Sequence, residues 1–281
     1  MKIGAHISGA GNLPGLLEKA KLLNVDCFQM FASPPSNWNK PKYTDEQKTA
    51  FKPLVKEAGL GPNFFHAIYL LNFGADNPEL LRKSIDSLIG YLTIAPAMAI
   101  DGAIFHTGSH KGFGFDALKG QVCKAFDEIL ASTPKESQLV IENNAGQGNL
   151  IGRNAEEIAA LLDGVKDNDR IKVAIDTCHA FANGTDWRIP NAVDDFVRTF
   201  DHFVGWEKVV VIHANDSKFD IGQNKDRHAN IGEGFIGEVG WRNILTHPKF
   251  QSLPFILEVP GFAEEGPDKK NVDILRRLAG L

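Results

Sequence analysis

The 281-residue chain predicts an α/β fold: a single-domain (β/α)8 TIM barrel spanning residues 1–281. Three observations predict it. Eight short apolar segments are spread over the whole length. Amphipathic helical patterns separate them. No Gly/Ser-rich linker, low-complexity tract or charge block divides the chain. Regular strand–helix alternation calls for a parallel sheet with helices outside it, and barrels of this length form one unit. With 43% hydrophobic and 9% aromatic residues the chain can bury a large core, which excludes a disordered composition.

The strand segments are Lys2–Ile7, Val25–Phe31, Asn63–Ala67, Ala103–Thr107, Leu139–Glu142, Lys172–Asp176, Val209–Ala214 and Pro254–Val259. Several are nearly continuous β-branched or aromatic runs, such as Val209-Val210-Val211-Ile212, as strands buried on both faces require. Between the first two, Leu13, Leu16, Leu17, Ala20 and Leu23 recur at helical spacing. A helix near 44–58 follows. Asn77-Pro78-Glu79 opens another with a capping residue and a proline just inside it. Further helices fall near 116–131 and 154–162. Val193, Phe196, Val197, Phe200 and Val204 mark the next, after the start signal Pro190-Asn191. Helices near 239–246 and 268–279 complete the series. The alternative architecture is an open doubly wound sheet, which calls for a nucleotide-type glycine fingerprint after the first strand. Gly9, Gly11 and Gly15 do not fit G-x-G-x-x-G.

No run approaches the roughly 20 apolar residues of a membrane-spanning helix, and MKIGAHISGAG lacks the apolar stretch of a signal peptide. Cys27, Cys123 and Cys178 are sparse and odd in number. They suit a reducing cytoplasm rather than a disulfide framework. The expectation is a cytoplasmic protein with no membrane partner. The formal charge of 30 − 35 = −5 argues against a polyanionic partner, unless bound cations change the sum.

Catalytic residues of such barrels sit where strands run into the following loops. Here the third to eighth strand segments finish in His66, His106, Glu142, Asp176, His213 and Glu258, each after apolar residues. Two short spacings add more. In Asp176-Thr177-Cys178-His179 the chain leaves a strand and turns, which can return His179 to the same cavity. In Asp226-Arg227-His228 an extended segment puts residues i and i+2 on one side. One histidine behind an apolar run is more often a hydrogen-bonded structural residue, and one strand-end carboxylate a helix cap. Four carboxylates at one barrel mouth are different, because they repel one another and raise their pKa values. Lysine and arginine are absent from the matching strand ends, so metal cations are the economical compensation. Mixed imidazole and carboxylate ligation suits Zn2+ best, with Mn2+ or Fe2+ as substitutes. Nine ligands serve two or three ions sharing a bridging carboxylate.

The longer motifs around these residues are Ile141-Glu142-Asn143-Asn144-Ala145-Gly146-Gln147-Gly148, Ile175-Asp176-Thr177-Cys178-His179-Ala180 and His213-Ala214-Asn215-Asp216-Ser217-Lys218. Asp226-Arg227-His228 followed by Ile231-Gly232-Glu233-Gly234 completes the set. With them the chain resembles the endonuclease IV family of apurinic/apyrimidinic endonucleases, which repair abasic DNA. The resemblance runs from Ile3-Gly4-Ala5-His6 to about Pro260. It implies three Zn2+ ions: one on His66, His106 and Glu142, a second shared through Glu142 with Asp176, His213 and Glu258, and a third on His179, Asp226 and His228. It also implies hydrolysis of the phosphodiester 5′ to the lesion, leaving a 3′-hydroxyl and a 5′-deoxyribose phosphate, and removal of 3′-blocking groups. Glu142 and Glu258 would be catalytic, placing the attacking water. The partner would be double-stranded DNA with abasic or 3′-blocked lesions, and the enzyme a monomer. Three such ions turn −5 into −5 + 6 = +1, focused at the site.

A damaged nucleotide must leave the helix to reach such a cluster. In the family, loops after the second and third strands penetrate the base stack, and Tyr69 and Leu70 match two residues that do so. A local loop core is the plainer alternative. Ser36 stands where the family commonly has an arginine, two residues before Trp38. That departure bears on penetration and DNA affinity, not on the metal chemistry. Lys111, Arg153, Arg188, Lys218, Lys225 and Arg227 follow strands and either meet phosphates or stay solvated; Lys218 and Arg227 are the chosen DNA contacts. His6 is expected to line the pocket behind the cluster, with a core histidine the alternative, and His110 to support the first ion or contact phosphate; His202 and His247 are expected on the surface, and Cys178 to pack. Two rival functions remain: a metal-dependent sugar isomerase or epimerase, and a noncatalytic metal-binding protein.

Overall fold

A computed structural model describes residues 1–9 and 12–281; Ala10 and Gly11, the latter part of the glycine reading above, lie outside the described residues. The chain alternates β1 (Lys2–His6), α1 (Leu13–Leu23), β2 (Cys27–Phe31), α2 (Asp45–Glu57), β3 (Phe64–His66), α3 (Pro78–Ile94), β4 (Gly102–Phe105) and α4 (Phe115–Ala131). It continues with β5 (Gln138–Glu142), α5 (Ala155–Asp163), β6 (Ile171–Asp176), α6 (Thr177–Ala182), α7 (Pro190–Phe203) and β7 (Val209–Ala214). Then come β8 (Asp216–Ser217), β9 (His228–Ala229), α8 (Gly237–Thr246), β10 (Pro254–Leu257) and α9 (Lys269–Ala279).

Eight strands close into a parallel barrel in the order β1-β10-β7-β6-β5-β4-β3-β2, so the open doubly wound sheet is excluded. Closure is made by β1, whose Gly4 pairs with Cys27 of β2 and Ile256 of β10. The helix starts follow the expected chemistry. Asn77 accepts from Glu79 and Leu80 N–H at the start of α3, and Thr44 with Gln47 forms a reciprocal capping box on α2. Asn154 and Asp268 cap α5 and α9 in the same way as Asn77 caps α3.

The main core lies between the barrel and the outer ring of helices. A second, smaller apolar layer fills the barrel interior. It consists of Cys27, Phe64, Ile104, Val140, Ala174, Val211 and Ile256, one residue from each strand except β1. β1 contributes Gly4 beside it, where a Cβ would lie 2.5 Å from Cys27 Sγ and 2.7 Å from Cys27 O. The layer is therefore full, and glycine is what lets the last strand close.

Two features escape the periodicity reading. The six-residue helix α6 and the antiparallel two-residue strands β8 and β9 are too short to show a pattern. They matter because they carry His179 and His228. The strand ends also differ slightly from expectation: β4 stops at Phe105 and β10 at Leu257, so His106 and Glu258 are the first residues beyond them.

Candidate metal centre

Side chains alternate across a strand, so residues two apart share a face. Two residues beyond Gly4 and beyond each member of the interior apolar layer, every barrel strand presents a polar group: His6, Gln29, His66, His106, Glu142, Asp176, His213 and Glu258. The result is a polar ring resting on an apolar floor. Six of its members are the strand-end residues expected to bind metal, and His6 is the expected supporting histidine. Gln29 is the member that sequence reasoning missed. It is fully buried, and its signal is the same two-residue offset, from Cys27.

Glu142 is the hub of the ring. Its Oε2 lies 3.3 Å from His66 Nε2 and 3.5 Å from His106 Nε2, and its Oε1 2.9 Å from His213 Nδ1. Glu258 Oε2 is 3.3 Å from the same His213 nitrogen. The other three residues come from the loops. Asp176 caps α6 by accepting from His179 N–H at 2.8 Å, and that one helical turn brings His179 back to the cavity. Across the mouth, Asp226 lies 3.2 Å from His179 Nε2 and 3.2 Å from His228 Nε2, while Arg227 between them is turned to solvent. The potential ligand atoms form four compact groups: His66, His106 and Glu142; Glu142, Asp176, His213 and Glu258; His179, Asp226 and His228; and Asp176, Cys178 and His228. Within each group all the atoms lie within 4.8 Å of one another. All nine residues singled out from the sequence are thus brought together, and three of the four groups coincide with the sets that the resemblance implies.

Each of the five rings is anchored on its far side. Nδ1 of His66 meets Ala67 O, that of His106 meets Asn144 Oδ1, that of His179 meets Asn143 O and that of His228 meets Glu258 O. His213 is held the other way round, with Nε2 against Gln29 Oε1. These oxygens accept only, so each ring carries a proton on its far nitrogen. The near nitrogen of a neutral ring then turns a lone pair toward carboxylate oxygens, which is repulsive unless a cation lies between them. Nε2 of His179 and of His228 are buried without a hydrogen-bond partner. Anchored imidazoles and a carboxylate hub make a donor set that fits metal ions.

The electrostatics agree. Burial would raise the Glu142 carboxyl, but His106, His213 and His66 hold it well below the ordinary carboxylate range. Burial likewise disfavours charge on His213 and His228, yet facing carboxylates push both up to about 9. His106 goes the other way, because its burial outweighs the attraction of Glu142 and lowers it. The carboxylates therefore draw positive charge to the faces of these rings, as protons or as metal cations.

The loop from Asp216 to Gly237, which carries Asp226 and His228, is tied down by one buried carboxylate. Asp216 accepts from the N–H groups of Ser217, Gly232, Ile236 and Gly237 and from Trp241 Nε1. At Gly234 a Cβ would lie 2.4 Å from Asp216 Oδ1 and from Ser217 O, so the Ile231-Gly232-Glu233-Gly234 motif serves this clamp.

Around the mouth, Tyr69 is 62% and Leu70 37% exposed. Tyr69 packs edge-on to Phe31 and beside His66, and its N–H donates to Pro35 O, linking the two loops expected to enter DNA. Tyr69, Arg227 and Pro260 complete the lining of a cleft of about 340 Å3 over the ring. Lys111, Lys218, Lys225 and Arg227 are exposed, and none makes an ion pair among the described residues. Arg188 is committed instead: its guanidinium holds both Asp186 oxygens and reaches Asp220. Arg153 pairs with Glu157. His110 accepts from Gly112 and Gly114 N–H, which organises its own loop. His6 packs against Phe31 with the two rings tilted, and accepts from Gln29. His202 is exposed, His247 pairs with Asp194, and Cys178 is buried with Sγ against Arg227 O.

The closed parallel barrel is that of the xylose isomerase-like TIM barrels, whose family model matches residues 17–278. The chain is 36% identical over 277 residues to "Probable endonuclease 4" of Halothermothrix orenii, covering 99% of this chain and 100% of that one. It superposes on the crystal structure of endonuclease IV from Thermus thermophilus with a TM-score of 0.87 and 32% identity, over 100% of this chain and 99% of that one. A D-tagatose 3-epimerase-like protein shares the fold, with a TM-score of 0.75 over 100% and 97% of the chains, but only 15% identity. The chain belongs to the endonuclease IV family.

Proposed function

We propose that this protein is a zinc-dependent DNA repair endonuclease. It hydrolyses the phosphodiester bond 5′ to abasic sites in duplex DNA, leaving a 3′-hydroxyl and a 5′-deoxyribose phosphate, and also removes 3′-blocking groups. The observation that carries this reading is the set of five anchored imidazoles facing four carboxylates in compact, overlapping groups. His66, His106 and Glu142 would hold one ion, Glu142, Asp176, His213 and Glu258 a second, and His179, Asp226 and His228 a third. Mn2+ or Fe2+ could replace zinc at individual positions.

Bound divalent ions would supply an activated water at neutral pH and stabilise charge on the phosphoryl and leaving oxygens. The protein's own groups do the rest. Glu142 and Glu258, which share contact with one His213 ring nitrogen, would position the attacking water. The apolar floor and the buried ring keep bulk water away from the reacting phosphate. Tyr69 and Leu70 at the rim enter the duplex beside the extruded nucleotide. Lys218 and Arg227 meet the flanking phosphates. The family relationship supports the DNA-cleaving class, while the likeness to sugar epimerases is one of fold. The enzyme would act as a monomer in the cytoplasm, and no helix of the described residues is long and apolar enough to cross a membrane.

The test is incision of a duplex with one abasic site, before chelation, after it, and after zinc is restored. A single cut 5′ to the lesion is expected, lost on chelation, regained with zinc, and absent on intact duplex. Ketose epimerisation without incision would instead make it a sugar epimerase.

A further inference from the structure

Gln29 is the one member of the polar ring that is neither a candidate ligand nor a histidine, and it is fully buried. Its side chain makes three contacts. Oε1 lies 2.8 Å from His213 Nε2, while Nε2 donates to Glu258 Oε1 at 2.5 Å and to His6 Nδ1 at 2.9 Å. We propose that Gln29 is a positioning residue that makes His213 present Nδ1 to the metal centre and holds the Glu258 carboxylate beside it. The proposal rests on reading this centre as metal-binding.

The direction of the hydrogen bonds follows from chemistry. An ionised carboxylate can only accept, so the amide must turn its NH2 toward Glu258. Its carbonyl oxygen then faces His213. That oxygen also only accepts, so the His213 proton must sit on Nε2. The Nδ1 lone pair is thereby left facing Glu142 and Glu258, at 2.9 and 3.3 Å. The remaining amide proton goes to His6 Nδ1, which puts the His6 proton on Nε2. One carboxylate thus sets the proton positions of a glutamine and two histidines.

His213 needs such a partner more than the other rings do. Those four present Nε2 and are anchored through Nδ1 by oxygens within the barrel-mouth backbone or the adjoining Asn144 side chain. His213 is reversed, and its far nitrogen points across the barrel toward β2, where only a side chain can reach it. Glu258 is gripped from both sides: Gln29 holds Oε1, and Asn215 Nδ2 holds Oε2 at 3.2 Å. Asn215 also donates to Asp176 Oδ2 at 2.6 Å, so two amides hold two of the three carboxylates of that group of four.

Partners of this kind change metal affinity by about 10–100-fold. The direct test needs no variant. In zinc-loaded protein, 15N NMR of the imidazoles should show His213 coordinating through Nδ1 with its proton on Nε2, and the other four coordinating through Nε2. Coordination of His213 through Nε2 would overturn the proposal. Chelator competition then compares wild type with Gln29→Leu, which keeps the volume and loses both hydrogen-bonding groups. One of the three zinc ions should bind about 10–100-fold more weakly, with the other two unchanged. Three wild-type affinities in that variant would also overturn it. Should Gln29→Leu fail to fold, Gln29→Met carries the comparison: it keeps the side-chain length but has no amide to accept from His213 or donate to Glu258, so the same single ion should weaken. Wild-type protein that takes up no zinc defeats the metal reading itself, which is a different outcome from a variant that binds normally.

Discussion

The candidate centre is built from two regions of unlike construction. Six of its residues sit in the strand ring, where His66, Glu142, Asp176 and His213 are at most 2% exposed. Asp226 and His228 sit on a loop, with side chains 40% and 20% exposed. The ring is positioned by barrel geometry, since an apolar floor and a period of two leave each side chain one direction to point. The loop is positioned by Asp216, whose five N–H donors would otherwise be unsatisfied. His179 stands between them, on a short helix that starts from a ring residue. The difference teaches that ring positions should fail only when a member of the ring itself, a ligand or Gln29, is changed, whereas the loop position can be lost from a distance.

The largest effect should come from the hub. Glu142→Gln is expected to lower incision by about 10³-fold or more with the fold retained, because it touches two of the ligand groups. Glu258→Gln should act in the same direction. Single-turnover incision and a thermal melt check both, and near-normal incision would remove their assigned roles. Next, Asp216→Ala should release the loop. Metal analysis should show the loss of about one ion per chain, with incision down about 10–100-fold while the ring ions stay. Equal loss of all ions would mean that the two regions are not separable.

How much of this is legible in the sequence follows the same division. The eight strands are legible because double-sided burial writes continuous apolar runs, and their polar ends mark six ring residues. Gln29 escapes notice because it lies inside the Cys27–Phe31 run rather than at its end, and a glutamine carries no charge. Asp226 and His228 are legible only through their i, i+2 spacing and the family motif, since β8 and β9 are too short to leave a pattern. The Asp216 clamp leaves no trace: a buried carboxylate satisfied by backbone N–H looks like any other loop aspartate. Arg188 shows the converse, a cation placed by sequence near the substrate face that the fold commits to Asp186.

Smaller effects should fall on DNA rather than metal. Tyr69→Ala is expected to weaken binding of an abasic duplex by about 10-fold, the size of one lost aromatic stacking contact, with metal content unchanged. Unaltered affinity in a fluorescence-anisotropy titration would return Tyr69 to a local loop role. The smallest change belongs to the rim cations. Lys218→Ala or Arg227→Ala should weaken abasic and intact duplexes alike and lower the salt slope of binding by about 1. A slope equal to wild type would place those side chains in solvent.

The most direct measurement is anomalous diffraction at the zinc edge from crystals of the zinc-loaded protein. Three peaks are expected, each about 2.0–2.3 Å from its own group of imidazole and carboxylate atoms, with Glu142 common to two of them. An intact barrel, saturated with zinc in solution, that shows no peak among these nine side chains would contradict the account.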